Sequence, residues 1–211
     1  TTEPTRYGYD FGGWYQDSAC NTTADFAAIK RSATVYARWT PKTGTRYTVL
    51  HWQENANDNG YSYKESEYKT GVTGEQTTAK AKDYEGFTAQ NDIAQQTIKG
   101  DGTTIVNIYY TRNTYDVKFW NVLYTGEHDG DLGNEFTELR ITAKHGASIR
   151  NKWPSQVDAA WETEIGSWHI QENIDVMPLG GKDFYRVNPF GNESAEYYVE
   201  DLNGEYQLDH T

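Results

Sequence analysis

Ile105–Trp120 reads Ile-Val-Asn-Ile-Tyr-Tyr-Thr-Arg-Asn-Thr-Tyr-Asp-Val-Lys-Phe-Trp, and it shows most clearly how the chain is organised. Ile105–Tyr110 is rich in β-branched and aromatic residues, which favour β-strands. A polar break at Thr111–Thr114 follows, and Tyr115–Trp120 then begins with apolar residues at every second position. The pattern predicts that one strand closes a module here and that the next strand opens another.

The same arrangement occurs earlier in the chain. The pattern Tyr-x-Val-x-x-Trp occupies Tyr47–Trp52 and again Tyr115–Trp120. A strand-like run at Val35–Trp39 precedes the first copy, and Glu196–Val199 is a candidate for a third closing strand. Internal similarity of this kind indicates an array of small units that contact their neighbours.

The composition fits small modules better than one large core. The chain has 211 residues, of which 36% are hydrophobic and 15% aromatic. Each aromatic ring buries roughly 150–250 Å², so a few rings can fill a thin core. We therefore expect a mainly β (α+β), elongated chain with modules at residues 1–42, 43–112 and 113–211.

Charge and cysteine content narrow the class of protein. The formal net charge of −12 disfavours binding to nucleic acid or to anionic lipid. No apolar run approaches the roughly 20 residues that span a bilayer, and the chain starts without a signal-peptide pattern. Cys20 is the single cysteine, which excludes an intrachain disulfide. An acidic β-rich chain with so little cysteine is typical of proteins on the bacterial surface.

The N-terminal module resembles a known repeat. Gly8–Asp17, followed by Cys20, Phe26 and the run Val35–Trp39, is similar to the internalin-type B-repeat of Gram-positive surface proteins. This resemblance implies a small β-grasp (ubiquitin-like) fold, in which Cys20 packs in the core. The family's repeats begin with two strands that have no counterpart before Gly8, so we expect the chain to begin within a repeat.

The central module resembles the mucin-binding-protein type of repeat, which often follows B-repeats. The similarity lies in Tyr47–Glu54, Tyr84–Phe87 and Ile108–Tyr110. It implies a complete β-grasp unit, with strands at Tyr47–Trp52 and Tyr61–Lys69. The last module resembles the same superfamily over a longer stretch of chain.

Local patterns predict the remaining elements. Asp25–Lys30 is a candidate short helix, capped by Thr23 or Asp25. Gln156–Thr163 is a second candidate, since apolar residues recur at helical spacing after Pro154. We expect a strand at Phe136–Ala143 and an acidic loop between His128 and Glu135.

No pattern points to catalysis. The five histidines lack zinc-binding spacing, and no nucleophile, phosphate-loop or dinucleotide motif is present. We therefore predict that the chain is not an enzyme and that it has no catalytic residue and no cofactor. One candidate calcium site is the acidic loop, whose oxygen ligands would suit a hard cation; the alternative is a solvated acidic turn. Its residues are Asp129, Asp131, Asn134 and Glu135.

Tryptophans of the last module are candidates for contact with a ligand. Indole rings can serve as stacking platforms for sugars, or they can pack between modules. The candidates are Trp153, Trp161 and Trp168.

These observations predict a non-enzymatic repeat or stalk region of an extracellular protein attached to the bacterial cell wall. The parent would be a virulence-associated adhesin or an internalin-like protein. The region would space and present binding domains, contact neighbouring repeats and meet a host surface protein or glycan. The alternative is a carbohydrate- or mucin-binding module that uses exposed Trp and Tyr side chains.

Overall fold

A computed structural model of the chain describes residues 2–57, 60–123, 130–153, 161–167, 173–186, 197–200 and 206–210. The chain divides into two compact units, Thr1–Asn113 and Thr114–Thr211. The described residues are mainly β-strand, which confirms the predicted β-rich fold, and their helical content is two short 3-10 turns. The finer module boundaries at residues 42 and 112 stay predictions.

The described residues of the first unit form six strands. They are β1 (Tyr9–Tyr15), β2 (Tyr36–Pro41), β3 (Thr45–Glu54), β4 (Tyr61–Gly71), β5 (Phe87–Ala89) and β6 (Ile105–Arg112). The pair β1–β2 forms one antiparallel sheet, and the other four strands form a second sheet in the order β4-β3-β6-β5. Strand predictions at Tyr47–Trp52, Tyr61–Lys69 and Ile105–Tyr110 are thereby confirmed.

The β1–β2 sheet is bent by a bulge. Its register shifts between Phe11 and Trp14, and Gly13 in the bulge has a φ of +102°. The ring of Phe11 packs edge-on against Trp14 and Trp39, at centroid distances of 5.4 and 5.7 Å. The bulge therefore turns the aromatic side chains of this small sheet towards one another.

The predicted helix at Asp25–Lys30 is wrong. The structure has a single turn at residues 26–28, in which the Ala27 N–H donates to Asp25 Oδ1 at 2.9 Å. A short side-chain hydrogen bond of this kind competes with helix propagation and closes a turn instead.

The four-stranded sheet is mixed. Strand β3 lies antiparallel to β4 and parallel to β6, and β5 lies antiparallel to β6. A parallel pair requires a long crossover. Residues 72–86 and 90–104 belong to this crossover and cover the inner face of the sheet, where they contribute Ala79 and Ile98 to the core. The buried apolar core comprises Tyr47, Val49, Ala79, Ile98, Val106, Ile108 and Tyr110.

The second unit is built around β7 (Thr114–Leu123), which corresponds to the predicted strand Tyr115–Trp120. The other strands are β8 (Asp131–Glu135), β9 (Ile141–Lys144), β10 (Trp161–Glu162), β11 (Lys182–Arg186), β12 (Tyr197–Glu200) and β13 (Tyr206–His210). Strand β7 pairs in parallel with β11 and antiparallel with β8 and β9, β10 extends the sheet beside β11, and β12–β13 is a separate antiparallel pair.

Phe119 is the centre of the second core. It is fully buried and stacks on Phe184 at 5.6 Å. Trp153 and Trp161 meet its ring edge-on at 5.4 and 5.0 Å. Four aromatic side chains thus occupy the place that many aliphatic residues take in a larger domain.

Three local predictions in this unit need correction. The predicted strand Phe136–Ala143 is a 3-10 turn, Thr137–Leu139, followed by β9. The acidic loop before it is largely strand, because residues 131–135 pair with β7. The predicted helix Gln156–Thr163 lies partly outside the described residues, but Trp161 and Glu162 form a strand that pairs with Arg186 and Tyr185. Tertiary pairing overrides helical spacing here.

Truncating the central ring tests this packing. We expect Phe119→Ala to lower the free energy of unfolding of the second unit by about 3–5 kcal/mol, since it leaves a cavity beside Phe184. The control is Leu132→Ala, whose side chain is exposed and which should change stability by less than about 0.5 kcal/mol. Denaturant unfolding followed by near-ultraviolet circular dichroism measures both, and equal effects would contradict the assignment of the core.

Candidate functional site

The outer face of the four-stranded sheet carries an unusual set of aromatic side chains. Side chains alternate along a strand, and Tyr47, Val49 and His51 of β3 are buried on the inner face. The residues between them point outwards, as do their partners on β4 and β6. We call one outward cluster the aromatic platform, which consists of Trp52, Tyr61, Tyr63 and Tyr109.

The rings of the platform hold one another in place. Trp52 lies opposite Tyr63 on β4 and Tyr109 on β6. Its ring meets Tyr63 edge-on at 5.9 Å and stacks on Tyr109 at 6.3 Å with an interplanar angle of 22°. Tyr61 completes the row with an edge contact to Tyr109 at 4.9 Å. Tyr63 remains 55% exposed, so the platform is both ordered and accessible.

Polar groups border the rings. The indole N–H of Trp52 donates to Asn107 Oδ1 at 2.9 Å, which fixes the orientation of the indole. Gln90 Nε2 donates to the Tyr61 hydroxyl at 3.4 Å. Beside the platform lies a cavity of about 150 Å³, lined by Gln90, Asp92, Ile93, Ala94, Asn107, Ile108 and Tyr109. A ligand on the rings would therefore meet amide and carboxylate groups at one end.

The inner face of the same sheet contains a buried polar network around His51. Its side chain is fully buried, and Nδ1 shares a hydrogen bond of 2.8 Å with the Tyr110 hydroxyl. Within the described residues, Nε2 has no hydrogen-bond partner, although Glu67 Oε1 is 3.5 Å away. Burial lowers the pKa of His51, and the nearby positive charge of Lys82 acts in the same direction. His51 is therefore neutral at pH 7.

The network extends to the segment that covers the sheet. The Tyr84 hydroxyl donates to Glu65, whose other carboxylate oxygen is 3.2 Å from Lys82 Nζ. Burial, followed by this hydrogen bond, raises the pKa of Tyr84, and the same bond lowers the pKa of Glu65. The Lys82 N–H donates to the Tyr110 hydroxyl at 2.9 Å. These bonds anchor residues 82–84 to the sheet, which is a structural role.

A larger concavity than the one beside the platform lies in the second unit. Its volume is about 540 Å³, and its lining is mainly polar, with Asp116, Lys118, Lys182 and Asp183 supplying charges of both signs. Asp116 already accepts a hydrogen bond from Thr142 at 2.6 Å. The mixed charges identify no particular ligand.

The predicted cation site is only partly described. Asp129 lies outside the described residues, whereas Asp131 and Asn134 are exposed on β8. Glu135 accepts two hydrogen bonds from Arg140, each of 2.6 Å, so its carboxylate already has a cationic partner. No cluster of three or more His, Cys, Asp or Glu side chains suited to a metal ion occurs among the described residues. Calcium binding at this position stays a prediction.

The predicted ligand-contacting tryptophans occupy different environments. Trp161 is 6% exposed and packs against Phe119 and Phe136, so its ring belongs to the core and offers no open face. Trp153 is half-buried beside Phe119 and Phe184, and Trp168 lies outside the described residues. Among the described residues, the first unit carries an open aromatic surface, the platform with Tyr63 at its exposed side.

The buried histidine allows a test by pH. Because the folded state lowers the pKa of His51 below its ordinary value of 6.5, the unfolded state binds more protons below that pH. The contribution of His51 to the stability of the first unit is therefore fully present above pH 6.5. It is lost as the pH falls towards the lower pKa of His51 in the folded state, at a slope of at most about 1.4 kcal/mol per pH unit.

His51→Gln supplies the control, because glutamine does not titrate while the other histidines and the carboxylates are unchanged. We expect denaturant unfolding of the variant to show a smaller dependence on pH between neutral pH and pH 5. An unchanged slope would show that another group is responsible.

Comparison with known proteins bears on the origin of the chain. Residues 1–38 match the model of the Listeria-Bacteroides repeat domain. A curated relative from Evansella cellulosilytica, described as a putative membrane protein, is 26% identical over 206 residues; these cover 91% of this chain and 29% of the relative. The chain thus spans less than a third of that relative. Within the described residues, no helix combines the length and apolarity needed to cross a membrane. The repeat match supports a bacterial surface repeat protein.

Proposed function

We propose that this chain is a non-enzymatic spacer within a cell-wall-attached bacterial surface protein of the adhesin or internalin-like class. It separates binding domains from the cell and presents them to a host surface protein or glycan. The repeat match at residues 1–38 supports a surface location. The acidic net charge of −12 keeps such a spacer soluble and away from anionic surfaces.

A backbone contact inside the first unit carries this proposal. A methyl group added at Gly8 would lie 2.3 Å from the Cα atom of Gly100, and one added at Gly100 would lie 1.9 Å from the carbonyl oxygen of Tyr7. Only glycine permits so close an approach, and Gly8 also has a φ of +76°. The backbone before β1 therefore packs in close contact with the turn that precedes β6.

Hydrogen bonds complete this glycine joint. The Lys42 N–H donates to the Gly8 carbonyl at 2.9 Å, and the Thr73 N–H donates to the Lys42 carbonyl at 3.0 Å. The buried hydroxyls of Thr45 and Thr73 are 2.6 Å apart. Because these contacts link the β1–β2 sheet to the four-stranded sheet, the two sheets are held in a fixed orientation. Fixed orientation between successive sheets suits a spacer better than a flexible linker.

Both units share one strand pattern, which supports serial β-grasp-type repeats. A ten-residue strand pairs in parallel with a later strand in each unit, β3 with β6 and β7 with β11. Trp52 then faces Tyr109, and Trp120 faces Tyr185, at matching positions of the two sheets. We propose that the mucin-binding-like module at residues 43–112 and the longer module at residues 113–211 are variants of this pattern. Each module would contact its neighbours in the full protein.

Replacement of the whole region tests the spacer function. Deleting residues 1–211 from the parent protein should reduce antibody access to the domain beyond it on intact cells, because that domain then lies nearer the wall. An unrelated bacterial repeat of similar length should restore access and host-cell attachment. Attachment that fails to recover, despite restored access, would contradict a purely spacing role.

The glycine joint can be tested separately. Gly100→Ala should destabilise the first unit by about 1–3 kcal/mol, the usual cost of overpacking, and should speed amide exchange in β1 and β2. Gly44→Ala is the matched control, since nothing lies within 4 Å of an added methyl group there. Hydrogen exchange measured by mass spectrometry distinguishes the variants, and equal protection in both would rule out the joint.

A further inference from the structure

We propose that the aromatic platform and the cavity beside it bind a neutral oligosaccharide. Trp52, Tyr63 and Tyr109 would stack against the C–H faces of successive sugar rings. Asn107, Gln90 and Asp92 would bind hydroxyl groups at the cavity end. This function goes beyond the spacing role, and it uses side chains other than the predicted Trp153, Trp161 and Trp168.

The rings of the aromatic platform are held in position before a ligand arrives. Trp52 is restrained by Tyr63, by Tyr109 and by its hydrogen bond to Asn107. Binding therefore costs little side-chain entropy, because the rotamers are already fixed. Aromatic faces that remain exposed offer apolar area to a ligand that is apolar on one face and polar at its edges. A sugar ring has this character.

The edge of the platform carries both hydrogen-bond donors and hydrogen-bond acceptors. Asn107 lines the cavity and uses Oδ1 to accept from Trp52, so its Nδ2 group is left to donate to a ligand. Gln90 uses Nε2 at Tyr61, so its Oε1 is left as an acceptor. Asp92 lines the same cavity with a carboxylate. Hydroxyl groups both donate and accept, and this mixed set matches them.

The negative charge of the cavity and of the chain favours a neutral ligand over an anionic one. Asp92 is the one charged residue among those that line the cavity, and it is negative. The chain as a whole carries a formal charge of −12. Anionic glycans and a second acidic copy of this chain would both be repelled. A neutral oligosaccharide avoids this repulsion and still satisfies the carboxylate through its hydroxyl groups.

The test uses the full 211-residue chain and a panel of soluble oligosaccharides. Neutral members are built from glucose, galactose, mannose or N-acetylglucosamine, and anionic members are sialyllactose and hyaluronan fragments. Binding is measured by isothermal titration calorimetry, and contacts are mapped from amide chemical-shift changes. We expect at least one neutral member to bind saturably, with shifts confined to β3, β4, β6 and residues 90–94.

Variants assign the binding to the platform. Trp52→Ala and Tyr109→Ala should each weaken binding at least about tenfold, whereas Trp52→Phe should lose less because it keeps a ring. Tyr68→Ala is the matched control, since this tyrosine is exposed on the same face of the sheet but stacks under Arg46 away from the platform. It should leave affinity unchanged. Asp92→Asn should discriminate less strongly against the anionic members, because it removes the negative charge at the cavity.

Four outcomes would overturn the proposal. They are no binding to any neutral member at millimolar concentration, preference for the anionic members, equal losses in Trp52→Ala and Tyr68→Ala, and self-association that Trp52→Ala abolishes. The last result would assign the face to a second copy of the chain. Failure of sugar binding would leave the spacer test untouched, because that test measures access to a neighbouring domain.

Discussion

The first unit depends on the parallel pairing of β3 with β6. Parallel strands cannot be joined by a tight turn, so about fifty residues must leave the sheet and return between them. In doing so they supply edge strands on both sides and an irregular segment that covers one face. Val49 beside Val106 and His51 beside Ile108 then form the floor of the core. The opposite face lacks such a cover in the part of the chain that the structure describes.

This one-sided cover explains why the two faces differ so sharply. On the inner face, each buried polar atom needs a partner, and the bonds of Tyr110 to His51 and to the Lys82 backbone meet that need. An unpaired His51 Nε2 is tolerated because a neutral imidazole loses less on burial than a charged one. On the outer face there is no desolvation constraint, and aromatic rings pack sideways on each other. The same strands thus supply a rigid core and an accessible surface.

Sequence alone predicted the strands that have a clear local pattern. Ile105–Tyr110 could be identified because it is rich in β-branched and aromatic residues. Tyr115–Trp120 could be identified because apolar residues recur at every second position, and Tyr47–Trp52 because it shares the pattern Tyr-x-Val-x-x-Trp. Trp161 and Glu162 could not, since their strand exists only because Arg186 is beside them, and spacing within a short segment cannot reveal a partner far along the chain. The aromatic platform was also beyond reach. Alternation shows that a strand has two faces, but it does not show which face the crossover covers.

The second unit shows why the platform is a property of the first unit and is not a property of the repeat. Trp120 faces Tyr185 as Trp52 faces Tyr109, so the pair of rings recurs. Its surroundings do not. Trp120 lies opposite Glu135, where Trp52 lies opposite Tyr63, and Glu135 is held by Arg140.

The indole groups differ in the same way. Trp52 Nε1 has Asn107 as its acceptor, whereas Trp120 Nε1 is buried without a hydrogen-bond partner within the described residues. The ion pair of Glu135 with Arg140 takes the position beside Trp120 that Tyr63 has beside Trp52, so among the described residues no comparable row of rings forms there. Repetition therefore preserves the strand pairing that the fold requires, while the side chains around the repeated tryptophan determine whether its ring is available to a ligand.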